Sequence, residues 1–293
     1  MHSIPGCKHP VASCRRPGGR WDTIPPSKIA YPEEKTMKMS AAVRNALVAA
    51  SVFAAVAAPA TLVSASPLGW FAGERVQGNG NISKQVREVS NFSGLGLGLP
   101  GSVEVRIGNT ESVTIESDDN ILPLVETVVE DGTLKIRPAR RNLNLDTRNL
   151  KVTIVVRKLE RISVGGSGSV DAEGIRGGKL SFDVGGSGSM SLRDIEGESV
   201  TVSLGGSGNL KASGSADKLK VSIGGSGKVS TGQLATKDVA VSIGGSGQAV
   251  VWAKQSLTVS VAGSGDVAYY GEPQVTKNVM GSGTVKRMAG NPN

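Results

Sequence analysis

Seven Gly-Ser-Gly cores lie between Gly165 and Gly283, five of them written Gly-Gly-Ser-Gly. Their serines are Ser167, Ser187, Ser207, Ser226, Ser246, Ser264 and Ser282, so successive steps are 20, 20, 19, 20, 18 and 18 residues. A fixed period near 20 marks an array in which each repeat is one small unit stacked on the next. Such arrays offer long contact surfaces rather than deep pockets.

Aligning the repeats on the serine assigns a task to each position. Five residues before it stand Ile162, Phe182, Val202, Val221, Val241 and Val259, with Lys277 breaking the column. Three before it stand Val164, Val184, Leu204, Ile223, Ile243, Val261 and Val279, and three after it Val170, Met190, Leu210, Val229, Ala249, Val267 and Val285. A polar column, Ser163 to Asn278, separates the first two. Apolar–polar–apolar alternation is a strand with one buried face. Each repeat therefore reads as strand, Gly-rich corner, strand and a variable turn such as 194–197 or 213–215.

A meander of hairpins and a solenoid would both satisfy this grammar. The solenoid is favoured because stacking in register pairs like with like, at about 4.8 Å per coil. The predicted fold class is all-β: a right-handed parallel β-helix (β-solenoid) of 18–20 residues per repeat, the hand following the rule for parallel crossovers. In it the serine column is expected to form a hydroxyl ladder, each serine donating to one neighbour and accepting from the other. Residues 76–160 keep the strand grammar with a looser period. Lys151–Val156 reads as a more fully buried strand leading into the first repeat, and 118–125 as one short helical turn.

The first 36 residues hold both cysteines (Cys7, Cys14), both histidines (His2, His9) and six prolines. They read as a disordered or mis-annotated extension. Met37-Lys-Met39 through Arg44, an apolar run from Ala46 to Ala58 and Val63-Ser64-Ala65 form the three parts of a signal peptide. The expected organisation is thus extension 1–36, signal peptide 37–65, linker 66–75, one β-solenoid domain 76–287 and tail 288–293. Cleavage after Ala65 would leave a chain without cysteine or histidine, periplasmic or secreted, with no lipid anchor and no stable membrane span. The net charge of +8 is concentrated upstream of that cleavage, which argues against a nucleic-acid partner.

Several chemistries fail on the residues. Gly96-Leu-Gly98-Leu-Pro-Gly101 fits G-x-G-x-x-G, but Pro100 precedes an alternating strand instead of a helix, so no pyrophosphate site follows. A calcium nonapeptide needs Asp where Val170, Met190, Leu210, Val229, Ala249 and Val267 stand. A nucleophilic serine lacks a histidine base, and Ser226 with Lys228 is the one Ser-Lys combination at a corner. No metal ligands and no cofactor site are expected. Asp171, Glu173, Asp183, Asp194, Glu196 and Glu198 are the acids that a carbohydrate-active enzyme would have to use. Six residues after the serine lie Trp252 and Tyr270, with Tyr269 beside the latter, in a chain with ten aromatics. With Lys254, Gln255 and Glu272 nearby they form a candidate binding strip; the alternative is a cap on the C-terminal end of the core.

In Arg87-Glu-Val-Ser-Asn-Phe92, Glu104-Val-Arg-Ile107, Glu111-Ser-Val-Thr-Ile115, Asp119-Asn-Ile-Leu-Pro123, Asp131-Gly-Thr-Leu-Lys-Ile136 and the serial repeats, the chain resembles the bacterial family named Putative auto-transporter adhesin, head GIN domain, over about 76–286. That resemblance implies a right-handed β-helix reminiscent of pectin-lyase-like proteins, a place outside the cytoplasm and no catalytic residues. The functional expectation is a non-enzymatic module for adhesion, or for binding an envelope protein or glycan. A carbohydrate-active enzyme of the pectin-lyase-like type and a self-assembling homo-oligomer are the alternatives.

Overall fold

The computed structural model describes residues 74–147 and 149–290. They fall within one compact unit and contain nineteen strands but no α-helix. The expected extension, signal peptide and most of the linker lie outside the described residues. The first nine strands are short: β1 (Glu74–Gln77), β2 (Ile82–Arg87), β3 (Gly94–Leu97), β4 (Ser102–Ile107), β5 (Ser112–Asp118), β6 (Val125–Glu130), β7 (Thr133–Pro138), β8 (Leu143–Asp146) and β9 (Lys151–Val156). A single 3₁₀ turn, Leu122–Leu124, supplies the short helical element expected there.

The repeats follow as β10 (Arg161–Gly166), β11 (Ser169–Glu173), β12 (Arg176–Gly186), β13 (Ser189–Gly206), β14 (Asn209–Gly225), β15 (Lys228–Gly245), β16 (Gln248–Gly263), β17 (Asp266–Tyr270), β18 (Gln274–Gly281) and β19 (Thr284–Arg287). They pair in parallel with neighbouring coils, β10 to β17 on both sides, giving a β-solenoid of about six turns. Register follows the sequence columns: Phe182 pairs with Val202, Val202 with Val221 and Val221 with Val241. The three apolar columns are buried in every coil up to β17, where they form the core.

Two expectations change here. Residues 194–197 and 213–215 are not turns between strands but bends within continuous strands, with Glu196 paired to Ser215 and Gly197 to Ala216. The register shifts by a residue at Leu192/Ile195 and again at Lys211/Ser213, but pairing resumes beyond each, so the strand is not interrupted. Nor does β9 lead straight into the first repeat. It alternates buried and half-exposed residues and stacks on β4, which in turn stacks on β11; likewise β7 stacks on β3 and β3 on β10.

The corner explains why the motif is written as it is. The glycine before each serine has positive φ, +101° at Gly206, a region that excludes most side chains. The glycine after it is buried, and a Cβ at Gly208 would stand 2.6 Å from the Gly188 carbonyl oxygen. All seven serines between them are exposed. The expected hydroxyl ladder is absent among the described residues. The corners are joined instead by backbone bonds: the amide of Ser207 donates to the Gly186 carbonyl at 2.9 Å, and that of Ser226 to Gly206 at 2.9 Å. An exposed hydroxyl is satisfied by water, so the position selects a small polar residue, not a ladder.

The two ends differ. At the N-terminal end the parallel stack is closed by antiparallel partners, β6 on β7, β5 on β9 and β2 on β5. At the other end β18 and β19 pair on one side only among the described strands. There Lys277 occupies the column that holds Val in the preceding coil, and an inward-column charge blunts an open strand edge.

Candidate binding surface

After each corner the chain alternates again, and its outward residues form a second flat face. Two sets of positions matter: Asp171, Ser191, Lys211, Ser230, Val250 and Ala268 four residues after the serine, and Glu173, Arg193, Ser213, Gly232, Trp252 and Tyr270 six after it, of which the second stacks in register only at Glu173–Arg193 and Trp252–Tyr270. Down this face the character shifts from acidic to basic to apolar and aromatic.

Trp252 and Tyr270 are direct partners on adjacent coils, as the spacing predicts, and both are half-exposed on the outer face. The Lys254 ammonium lies 5.4 Å from the centre of the Trp252 ring, within range of a cation–π contact. Tyr269 does not belong with them. Strand alternation turns it to the inner side, in the column of Leu192, Ala212, Thr231 and Val251, where it packs against the core. Tyr269 is thus the last large apolar residue of that inner column, with Arg287 of β19 paired beyond it, and the strip is reduced to Trp252 and Tyr270. Trp252 is no cap, because its strand is followed by a further coil on either sheet.

A groove of 460 Å³ runs across this face from Arg193 through Lys211 and Lys228 to Val250 and Tyr270. It owes its depth to Gly232. The register of β15 against β16 shifts between Thr231 and Ala235, and a Cβ at Gly232 would lie 3.1 Å from the Tyr270 ring and 3.2 Å from Val250. Sequence reasoning missed Lys211 and Gly232 and weighed Lys228 only as a partner for Ser226; the positions two, four and six residues after the serine were the signal that could have found this groove.

Of the six acids that an enzyme would have to use, four are engaged otherwise, and Asp171 and Glu198 line different surface depressions. Glu173 lies 3.5 Å from Arg193, while Asp194 and Glu196 lie 3.6 and 3.0 Å from Arg176. Asp183 accepts from the Ser181 hydroxyl at 3.4 Å. Ser226 is exposed at its corner, and Lys228 lies on the groove side of the strand that follows. Gly96–Gly101 is neither a nucleotide loop nor a simple turn. Leu97 pairs with Val164 and Ser102 with Ser169, so this segment is a corner of the same length as Gly165–Gly168 in a coil that precedes the first regular repeat.

Groups of three or more metal-ligating side chains are absent among the described residues, and no described helix is long and apolar enough to cross a membrane. The carboxyl groups with displaced titration lie elsewhere. The Arg106 guanidinium, by hydrogen bond and charge, holds Glu104 below its ordinary range, and Lys135 with Arg137 does the same to Glu130. Asp118 is 1% exposed and accepts hydrogen bonds from the Thr147 hydroxyl at 2.6 Å and the Gly80 amide at 2.7 Å, which lower its pKa against the opposing effect of burial.

The family model for Putative auto-transporter adhesin, head GIN domain matches residues 91–273. Among solved structures, a putative adhesin from Bacteroides fragilis is 24% identical, with a TM-score of 0.69, over 73% of this chain and 100% of that one. A putative lipid binding protein from Parabacteroides distasonis is 22% identical, with a TM-score of 0.61, over 74% and 100%. A putative adhesin from Parabacteroides merdae is 20% identical, with a TM-score of 0.59, over the same shares. At these identities the likeness shows the fold. No match was found among curated proteins.

Proposed function

From the chain's membership of the Putative auto-transporter adhesin, head GIN domain family, we propose a non-enzymatic, extracytoplasmic β-solenoid that binds an envelope glycan or protein. The observation that carries this reading is the half-exposed Trp252–Tyr270 pair at the edge of a long, flat, polar face. Aromatic rings left partly open on a rigid sheet are suited to stack on a sugar ring or a partner's apolar side chain. The stacked coils hold the rings without cost of ordering on binding, which favours affinity. Adhesion is also the role described for two of the solved relatives.

The enzyme alternative is disfavoured by the arginine partners of Glu173, Asp194 and Glu196, since a hydrolase needs two carboxyl groups free to flank one sugar bond. A glycan and envelope-protein array, probed with the purified protein and followed by product analysis, tests the reading. Binding with no change in the ligand is expected. Turnover of any bound glycan would replace the proposal with the enzyme alternative.

A further inference from the structure

Resting on that binding role, the charge of the groove points to a more definite ligand. Lys211 and Lys228 are exposed on adjacent coils, and neither has an ion-pair or hydrogen-bond partner among the described residues. Arg193, one coil earlier, borders the same groove. Its acidic partner Glu173 lies outside the lining, and no carboxylate lines the groove at all. At the far end Val250 and the Tyr270 ring supply an apolar wall, seated over Gly232. Much of the surrounding surface is arranged differently: Arg137 with Glu126 and Glu130, Lys237 with Asp217 and Arg176 with Glu196 neutralise one another.

We infer that this groove binds a carboxylated polysaccharide, with Lys211 and Lys228 each holding a carboxylate of the same chain and Tyr270 stacking on a sugar ring. Three physical points favour this ligand. The cations step diagonally from coil to coil, Lys211 opposite Ser230 and Lys228 opposite Asn209, a spacing of about 8 Å from one coil step and two strand residues, so a rod of repeated acids can lie obliquely across the coils. Unpaired ammonium groups attract anions without first breaking an internal ion pair. The groove is open, and its apolar lining is Leu192, Ala212, Val250 and Tyr270, of which Leu192 and Ala212 are buried in the core, leaving too little to shelter an acyl chain.

The test uses polygalacturonate oligomers, their methyl esters, a neutral glucan and phosphatidylglycerol vesicles, with binding measured calorimetrically. Wild-type protein should bind the acid form at least tenfold more tightly than the ester, and the affinity should fall as salt rises. Lys211→Gln with Lys228→Gln should lose at least tenfold for the acid form. Both lysines are exposed, and an unchanged melting temperature would confirm that the fold is kept. Tyr270→Ala should weaken the acid form without removing its preference over the ester.

Equal affinity for acid and ester, or a double variant that binds the acid as wild type does, would overturn the inference, as would binding confined to the vesicles. If the array finds a neutral glycan or a protein whose binding the double variant leaves intact, the binding role survives and this ligand does not. If neither polymer nor any array member binds, both fall.

Discussion

The two halves of the solenoid reach the same stack by different means. In residues 161–287 the strands run up to 18 residues and each coil repeats the columns of its neighbours. In residues 74–160 no strand exceeds 7 residues, pairing is partly antiparallel, and chain order departs from spatial order. The repeat half obtains register from identity: any slip by one residue would put polar residues in the core. The N-terminal half continues those columns only through β3, β4, β7 and β9. Its strands are set by hairpin pairing, by cross-strand pairs such as Glu126 opposite Arg137, and by local clasps such as Asp118. A stack can lengthen by repetition, but closing an end requires sequence that differs from the repeat.

The sharpest probe of this difference is the corner. Gly206→Val should cost about 3–5 kcal/mol, because it forces a branched residue into a left-handed backbone and drives a Cβ against the Gly186 carbonyl. The irregular corner is built differently: Leu99 stands at the position aligned with Gly206, and Gly98, aligned with Gly205, is exposed, with its nearest neighbour 3.7 Å from an added Cβ. Gly98→Ala should stay within about 0.5 kcal/mol. Chemical denaturation of both variants measures the contrast; equal losses would show that the two corners bear the same constraint.

At the far end of the repeats, Tyr269→Ala should cost about 2–3 kcal/mol, since the ring is the last large apolar group of the inner column. Trp252→Ala, on the outer face, should cost about 1 kcal/mol. A larger loss at Trp252 than at Tyr269 would restore the cap reading for Trp252.

A pH effect should be confined to the other half. Asp118 titrates below its ordinary value of 3.8 in the folded chain, so the folded form holds the proton less readily than the unfolded one. Its contribution is complete above the unfolded value and is lost as pH falls through the folded one. Hydrogen exchange near Gly80 should therefore quicken below about pH 4, while the repeat strands keep their protection. Asp118→Asn should abolish that pH dependence. The smallest effect is expected at Ser207→Ala, within about 0.5 kcal/mol, because its hydroxyl is exposed and bonds to no neighbouring serine. A loss of more than about 1 kcal/mol would revive the ladder.

The sequence by itself determined the columns, the corner and hence the parallel stack, because a period of two within strands and of about 20 between them leaves few ways to bury the same residues. It also contained the separation of Tyr269 from Tyr270, since neighbours on a strand face opposite ways. Only the tertiary structure decided that Gly96–Gly101 is a corner, that β3 and β4 separate β7 and β9, respectively, from the first repeat, and that Lys211, Lys228, Gly232 and Tyr270 line one groove. The reason is physical. Columns that repeat announce their partners in the sequence, whereas strands without a repeat are paired by loop closure and packing over long separations.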